Sequence, residues 1–229
     1  MKSRKIFEDD HLGTVGKGPI SNKGDGPISL TEKRLAIAIW NYEKLTLPCE
    51  HGFIRLPDYE FPLRATGYDK AIGEVDLLGL TDCGVLSVIE LKYMKDNDPG
   101  DSPLFALVEA LRYSAIIEAN LDYIKTAMDR KRADNEVKGR WDGEIKFDKP
   151  RIMLIANRRW WEYWDDRNTN KKGKWKDLFF DLLVDIREEL SIKTECYTIY
   201  DFSEKDIKWE GVHENKPVLL SDPDLQPWK

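Results

Sequence analysis

Residues 74–93 read EVDLLGLTDCGVLSVIELKY: two apolar runs, Glu74–Thr81 and Val85–Tyr93, joined by Asp82-Cys83-Gly84. Apolar runs of this length around a short glycine-containing link predict a β-hairpin. A three-residue loop ending in glycine places that glycine in the left-handed region. Pairing Thr81 with Val85 then sets Asp76 opposite Glu90 and Glu74 opposite Lys92. Strand side chains alternate between faces, so Glu90 and Lys92 point the same way. Opposed carboxylates have Cβ atoms about 4.5–5.5 Å apart and repel when both are ionised. Their neighbours Val75, Leu77, Leu78, Val88, Ile89 and Leu91 are apolar, so water screens that repulsion poorly. A hard divalent cation, Mg²⁺ or Mn²⁺, neutralises such a pair through oxygen ligands. Lys92 adds a charge able to stabilise an attacking water or a phosphate in its transition state. The plainer alternative is a charged hairpin with an ordinary cross-strand ion pair.

Working outward, the spacing predicts a helix over about 30–46, with Ser29 as N-cap, Glu32 closing a capping box and Pro48 as the stop. Leu35, Ala38, Ile39, Tyr42 and Leu45 share one face of it. Residues 52–66 read as an irregular strand region. Beyond the hairpin, Ser102 and Pro103 form an N-cap and N1 pair that opens a long helix over roughly 103–130. Residues 132–149 read as a polar loop, and Arg151–Asn157 as a buried strand. A helix is expected over 175–190, with Leu178, Phe179, Leu182, Leu183 and Ile186 on one side, followed by a strand over Cys196–Phe202. The order α-β-β-β-α-β-α-β implies an α/β domain whose mixed central sheet carries helices on both faces. That domain is expected over 29–203. Residues 1–28, rich in Gly and Pro, read as a flexible N-terminal arm, and 204–229 as a polar tail packed on the domain.

With Asp76 on one strand and Glu90-Leu91-Lys92 on the next, the chain resembles the PD-(D/E)XK nuclease superfamily over roughly residues 30–202. Val75 stands where that family's motif is usually written with proline. The resemblance implies a restriction-endonuclease-like αβββαβ core and a metal-dependent nuclease, with Asp76, Glu90 and Lys92 catalytic. It implies metal ligation by Asp76, Glu90 and the backbone carbonyl of Leu91. In several branches a glutamate of the first helix joins the metal site, and Glu32 is the matching position. Helicase-associated branches carry Gln-x-x-x-Tyr on the following helix; here the residues are Glu109-Ala110-Leu111-Arg112-Tyr113, so Glu departs from the pattern. Residues 109 and 113 share a helical face, which makes Glu109 and Tyr113 a candidate secondary site. A surface glutamate beside a packed tyrosine is the alternative.

The 229 residues carry a net charge of −6, unevenly distributed. Lys125–Lys176 holds 16 basic against 9 acidic residues, either a solvated face or a local phosphate-facing patch on an acidic molecule. Arg112, Arg158, Arg159, Lys171, Lys172 and Lys174 are the candidate nucleic-acid contacts. Trp160, Trp161, Tyr163 and Trp164 can stack bases, but core packing is the commoner use of such spacing. Three dispersed cysteines and three dispersed histidines suggest neither a disulfide framework nor a zinc site. No apolar run approaches the roughly 20 residues of a membrane span. Residues 1–10 lack the apolar stretch of a secretory signal. The expectation is therefore a cytoplasmic phosphodiesterase acting on DNA in repair, restriction or defence, without a membrane partner; a homodimer is compatible. The alternative is a catalytically silent nuclease-fold protein used for nucleic-acid binding or assembly, which the acidic net charge favours.

Overall fold

The apolar runs fold as the hairpin that their spacing predicts. Leu77 pairs with Ile89, Leu78 with Val88 and Leu80 with Leu86 in an antiparallel register. At the turn the Thr81 backbone N–H donates to the Val85 carbonyl at 2.9 Å. Gly84 has φ +88°, and a Cβ there would lie 2.2 Å from the Glu144 carbonyl oxygen, so both conformation and space require glycine. The computed structural model describes residues 30–48, 52–63, 73–95, 97–133, 143–146, 148–169, 175–210 and 216–228. The arm expected over 1–28, and Lys171, Lys172 and Lys174, lie outside the described residues.

In chain order the elements are α1 (Glu32–Asn41), β1 (Lys44–Thr46), β2 (Phe53–Pro62), β3 (Glu74–Thr81), β4 (Leu86–Lys92), α2 (Pro103–Glu118), α3 (Leu121–Ala133) and β5 (Arg151–Asn157). They continue with α4 (Arg158–Thr169), α5 (Trp175–Leu190), β6 (Thr194–Ile199), β7 (Ile207–Glu210), β8 (Lys216–Leu219) and β9 (Gln226–Pro227). Seven strands form one mixed sheet in the order β1-β2-β3-β4-β5-β6-β9. The first four are antiparallel, β4, β5 and β6 run parallel, and β9 closes the edge antiparallel to β6. The sheet separates two cores. Leu78, Leu80, Val88, Ile152 and Leu154 belong with Leu107, Tyr113, Trp160 and Phe179 of the helices on one side. Leu77, Ile89, Leu91, Met153 and Ile155 belong with Leu35 and Ile39 of α1, and with Ile207 and Leu219 of β7 and β8, on the other. This is the mixed α/β sheet with helices on both faces that the element order implies.

Several boundaries differ from the sequence-based expectations. The N-cap of α1 is Thr31 rather than Ser29; its hydroxyl accepts from the Arg34 N–H at 3.3 Å. Glu32 is thus the first helical residue and closes no capping box. The helix stops at Asn41 instead of running to 46, because Glu43 adopts φ +75° and turns the chain into β1. The long helix over 103–130 is two helices: Ala119 caps α2, and the Asn120 side chain donates to the Ile116 carbonyl at 2.7 Å, satisfying an end of that helix. The segment after 203 is more than a polar cover. Its β7–β8 hairpin packs over α1, β9 extends the main sheet, and Trp228 stacks on Trp161 at 3.9 Å. Leu178 faces outward, 66% exposed, while Phe179, Leu183 and Ile186 carry the buried face of α5. Among the described residues no helix is long and apolar enough to cross a membrane.

Candidate active site

The antiparallel ladder between β3 and β4 ends at Leu77–Ile89, and the two strands part there. In regular alternation the Leu91 N–H would bond next to Val75. It donates instead to Asp76 Oδ2 at 2.8 Å, so the carboxylate bridges the gap between the strands. The ladder thus stops one pair short of Asp76 and Glu90, the pair that the turn length sets opposite each other, yet the charge of Asp76 still acts on Glu90. Glu90 and Lys92 share the sheet face of Val88, and their side chains meet: Lys92 Nζ donates to Glu90 Oε1 at 2.8 Å. The N-terminus of α1 brings in Glu32. Its Oε2 accepts from the Tyr93 backbone N–H at 3.0 Å, and its Oε1 stands 3.8 Å from Lys92 Nζ. The first helix therefore brings its glutamate beside Lys92, where it bonds the chain leaving β4 and does not act as a cap.

One cation thus faces several carboxylates. Glu90 is 3% exposed and Lys92 8%, so the charges meet with little water between them. Burial, then the charge of Glu32, pushes Asp76 up to about 7. Burial and the facing Asp76 push Glu90 well above the carboxylate range. Glu32 is raised by burial, against the pull of Lys92 and the Tyr93 N–H. Burial alone would lower Lys92, but Glu90, Glu32 and Asp76 together hold its ammonium above the usual lysine value. Glu90 Oε2 is buried without a hydrogen-bond partner among the described residues. An orphaned buried oxygen at the focus of surplus negative charge is what a hard cation would satisfy, so the residues fit Mg²⁺ or Mn²⁺. Among the described residues no three such groups are already drawn up as a metal cage. Asp76 Oδ2 and Glu90 Oε1 are instead engaged by protein donors.

The candidate secondary residues lie beside this centre. The Tyr113 hydroxyl donates to Glu109 Oε1 at 2.7 Å, and the charge of Glu109 acts on Asp76, Glu90 and Glu32. Burial, then the Glu109 bond, raises the Tyr113 phenol above its ordinary value. Arg112 is half exposed, 3.5 Å from Glu109 and over the Tyr113 ring at 5.0 Å. Two other expected nucleic-acid contacts, Arg158 and Arg159, open α4. Arg158 is exposed and held by Glu162 at 2.6 Å, whereas Arg159 reaches the Lys95 carbonyl at 3.2 Å. Trp160 and Trp161 are fully buried, so they pack the core and do not stack bases.

Two residues of the site region carry little signal in the sequence. Asp101 Oδ2 stands 4.0 Å from Lys92 Nζ, on the loop that leads to the Ser102 cap. Asn157, which ends β5, clamps the chain leaving β4: its Oδ1 accepts from the Met94 N–H at 3.0 Å and its Nδ2 donates to the Met94 carbonyl at 2.8 Å. A polar residue closing an apolar strand run is the available signal for Asn157. Asp101 has none beyond its place in the loop after Lys92. Comparison with family models, curated proteins and solved structures found no match to this chain.

Proposed function

We propose that the chain is a metal-dependent phosphodiesterase of the PD-(D/E)XK type, with DNA as its expected substrate. The observation that carries this reading is the convergence of Asp76, Glu90 and Glu32 on Lys92, with Glu90 Oε2 left unpaired among the described residues. The sequence of elements supports it: a helix, an antiparallel meander bearing the carboxylates, then helices leading to a parallel strand. Asp76, Glu90, the Leu91 carbonyl and Glu32 would hold Mg²⁺ or Mn²⁺. Such an ion would polarise a phosphate oxygen and favour a hydroxide nucleophile near neutral pH. Lys92, held protonated by its carboxylates, would donate to the phosphate oxygen that gains charge in the transition state. Tyr113 would orient Glu109 toward this centre.

A second reading is favoured by the Lys92–Glu90 contact, which already neutralises one carboxylate without a metal. In that reading the chain binds nucleic acid or a partner protein and cuts nothing. Cleavage of a panel of single- and double-stranded DNA and RNA with Mg²⁺, Mn²⁺ or chelator separates the two. Metal-dependent cleavage that is lost in Lys92→Ala supports the enzyme; no cleavage of any substrate with either metal supports the silent protein.

A further inference from the structure

Beside Lys92 the three parallel strands end together, and a cavity of about 250 Å³ opens at their carboxyl ends. In open α/β sheets ligands bind at this edge. Tyr93, which follows β4, lines it with Asn157 at the end of β5 and with Asp201, Phe202 and Ser203 beyond β6. Its walls are fixed by their own bonds. The Tyr93 hydroxyl donates to the Phe202 carbonyl, Asn157 clamps Met94, and Ser203 Oγ donates to Asp206 Oδ2 at 2.7 Å. Two groups keep unused capacity. Arg159 also lines the cavity and spends one donor on the Lys95 carbonyl, out of the five that a guanidinium carries. Asp201 Oδ1 is buried with no hydrogen-bond partner among the described residues.

We propose that this cavity is a guanine-base pocket, in which Asp201 accepts from N1–H and the 2-amino group while Arg159 donates to O6. The inference rests on the reading of the neighbouring site as one that handles nucleic acid. A bare phosphate would meet the Asp201 carboxylate and be repelled. A ligand with an acceptor for Arg159 and donors for Asp201 satisfies both. Guanine alone among the common bases presents two adjacent N–H donors beside a carbonyl on one edge. Adenine and cytosine each turn a ring-nitrogen acceptor toward the carboxylate, and uracil flanks its single N–H with carbonyl oxygens. The partly buried ring of Tyr93 suits a flat, apolar-faced ligand, and the volume admits one base but no duplex. The base therefore enters from a single strand or by extrusion from a helix. The pocket's place beside Lys92 would set a guanine next to the cleaved phosphate.

Binding of nucleoside monophosphates, measured by titration calorimetry in chelator, tests the pocket without reference to cleavage. GMP should bind about tenfold or more tightly than AMP, CMP and UMP, with IMP weakened by the missing amino group. Arg159→Gln should weaken GMP by a similar factor. Asp201→Asn should reverse the preference toward xanthosine monophosphate, whose 2-carbonyl accepts from the asparagine amide. Equal affinity for all nucleotides, or a guanine preference that survives Asp201→Asn, overturns the proposal. Should Asp201→Asn fail to fold by circular dichroism, the GMP-to-IMP ratio and Arg159→Gln decide it. A chain that prefers GMP but cuts nothing would sink only the nuclease reading; one that cuts without preferring GMP would sink only the pocket.

Discussion

Asp76 Oδ2 accepts the Leu91 backbone N–H at 2.8 Å, in the position where the ladder would otherwise continue to Val75. A side chain thus joins the two strands that carry the site, and its protonation state matters to both. Asp76 titrates near 7 when folded, because of burial and Glu32, against about 3.9 in an unfolded chain. A raised folded value contributes stability that is fully present below the unfolded pKa and is lost as pH rises through the folded one. In chelator, this contribution to the melting temperature should therefore fall between about pH 4 and pH 7. Asp76→Asn should flatten that fall, with the raised Glu90 accounting for what remains. An unchanged pH slope in the variant would show that Asp76 is not the responsible group.

Glu90→Gln should raise stability in chelator at pH 8 by about 1 kcal/mol while abolishing cleavage, a trade between stability and activity. Glu90 faces Asp76, and Lys92 retains Glu32, Asp76 and Asp101 as counter-charges after the substitution. Urea unfolding at that pH is the measurement. A clear loss of stability would mean that the Glu90–Lys92 contact is a structural ion pair, whose rupture leaves a buried ammonium uncompensated.

Millimolar Mg²⁺ or Mn²⁺ should raise the wild-type melting temperature, since a ligand of the folded state alone stabilises it. The rise should shrink as pH drops below 7, where protons compete for Asp76, and should be largely absent in Asp76→Asn. Lys92→Ala should lower the cleavage rate about a hundredfold or more, the scale for losing a transition-state donor. Equal metal-induced shifts in wild type and Asp76→Asn would place the ion elsewhere.

Gly73 precedes β3 at φ +94°, and a Cβ on it would lie 2.3 Å from the Tyr113 hydroxyl oxygen. Gly73→Ala should destabilise the chain by about 2 kcal/mol through backbone strain and displacement of Tyr113. Tyr113→Phe removes the crowded oxygen but not the strain, so the double variant should recover part of the loss. A double-mutant cycle by urea unfolding measures this, and strict additivity would refute the contact.

Trp228 stacks on Trp161 and donates its backbone N–H to the Cys196 carbonyl at 3.0 Å. Trp228→Ala should cost about 2 kcal/mol, less than a fully buried tryptophan because it is only partly covered. A change within about 0.5 kcal/mol, the range of an ordinary surface substitution, would return the segment to the role of a passive tail.

What is legible in the sequence depends on how local the determining forces are. The register of 74–93 follows from a three-residue turn and a glycine that must take positive φ, so the sequence alone sets Asp76, Glu90 and Lys92 together. Arg151–Asn157 and Trp175–Leu190 are legible from apolar pattern. The end of α1 is not, because Glu43 at φ +75° is a residue type that gives no sign of the left-handed region. Strands β7, β8 and β9 have two to four residues each and exist by packing on α1 and β6, which no window of sequence reports. Asp101 and Arg159 are out of reach as neighbours of Lys92 and Lys95 for the same reason: only the folded sheet brings the loop before α2 and the start of α4 to one edge.

The hairpin also sets an order of events for the folding chain. Asp76 and Leu91 are 15 residues apart, whereas the Asn157 clamp on Met94 closes 63 residues and the Glu32–Tyr93 bond 61. Short loops close at lower entropic cost, so the β3–β4 pairing is the contact that nascent structure reaches first. At that stage the opposed carboxylates stand in water, which screens them. Their repulsion grows only when α1 and α2 arrive and exclude solvent, bringing Glu32 and Glu109 with them. Electrostatic strain at this centre is thus a late cost of assembly. It should appear in the rate of unfolding and hardly at all in the rate at which the hairpin forms.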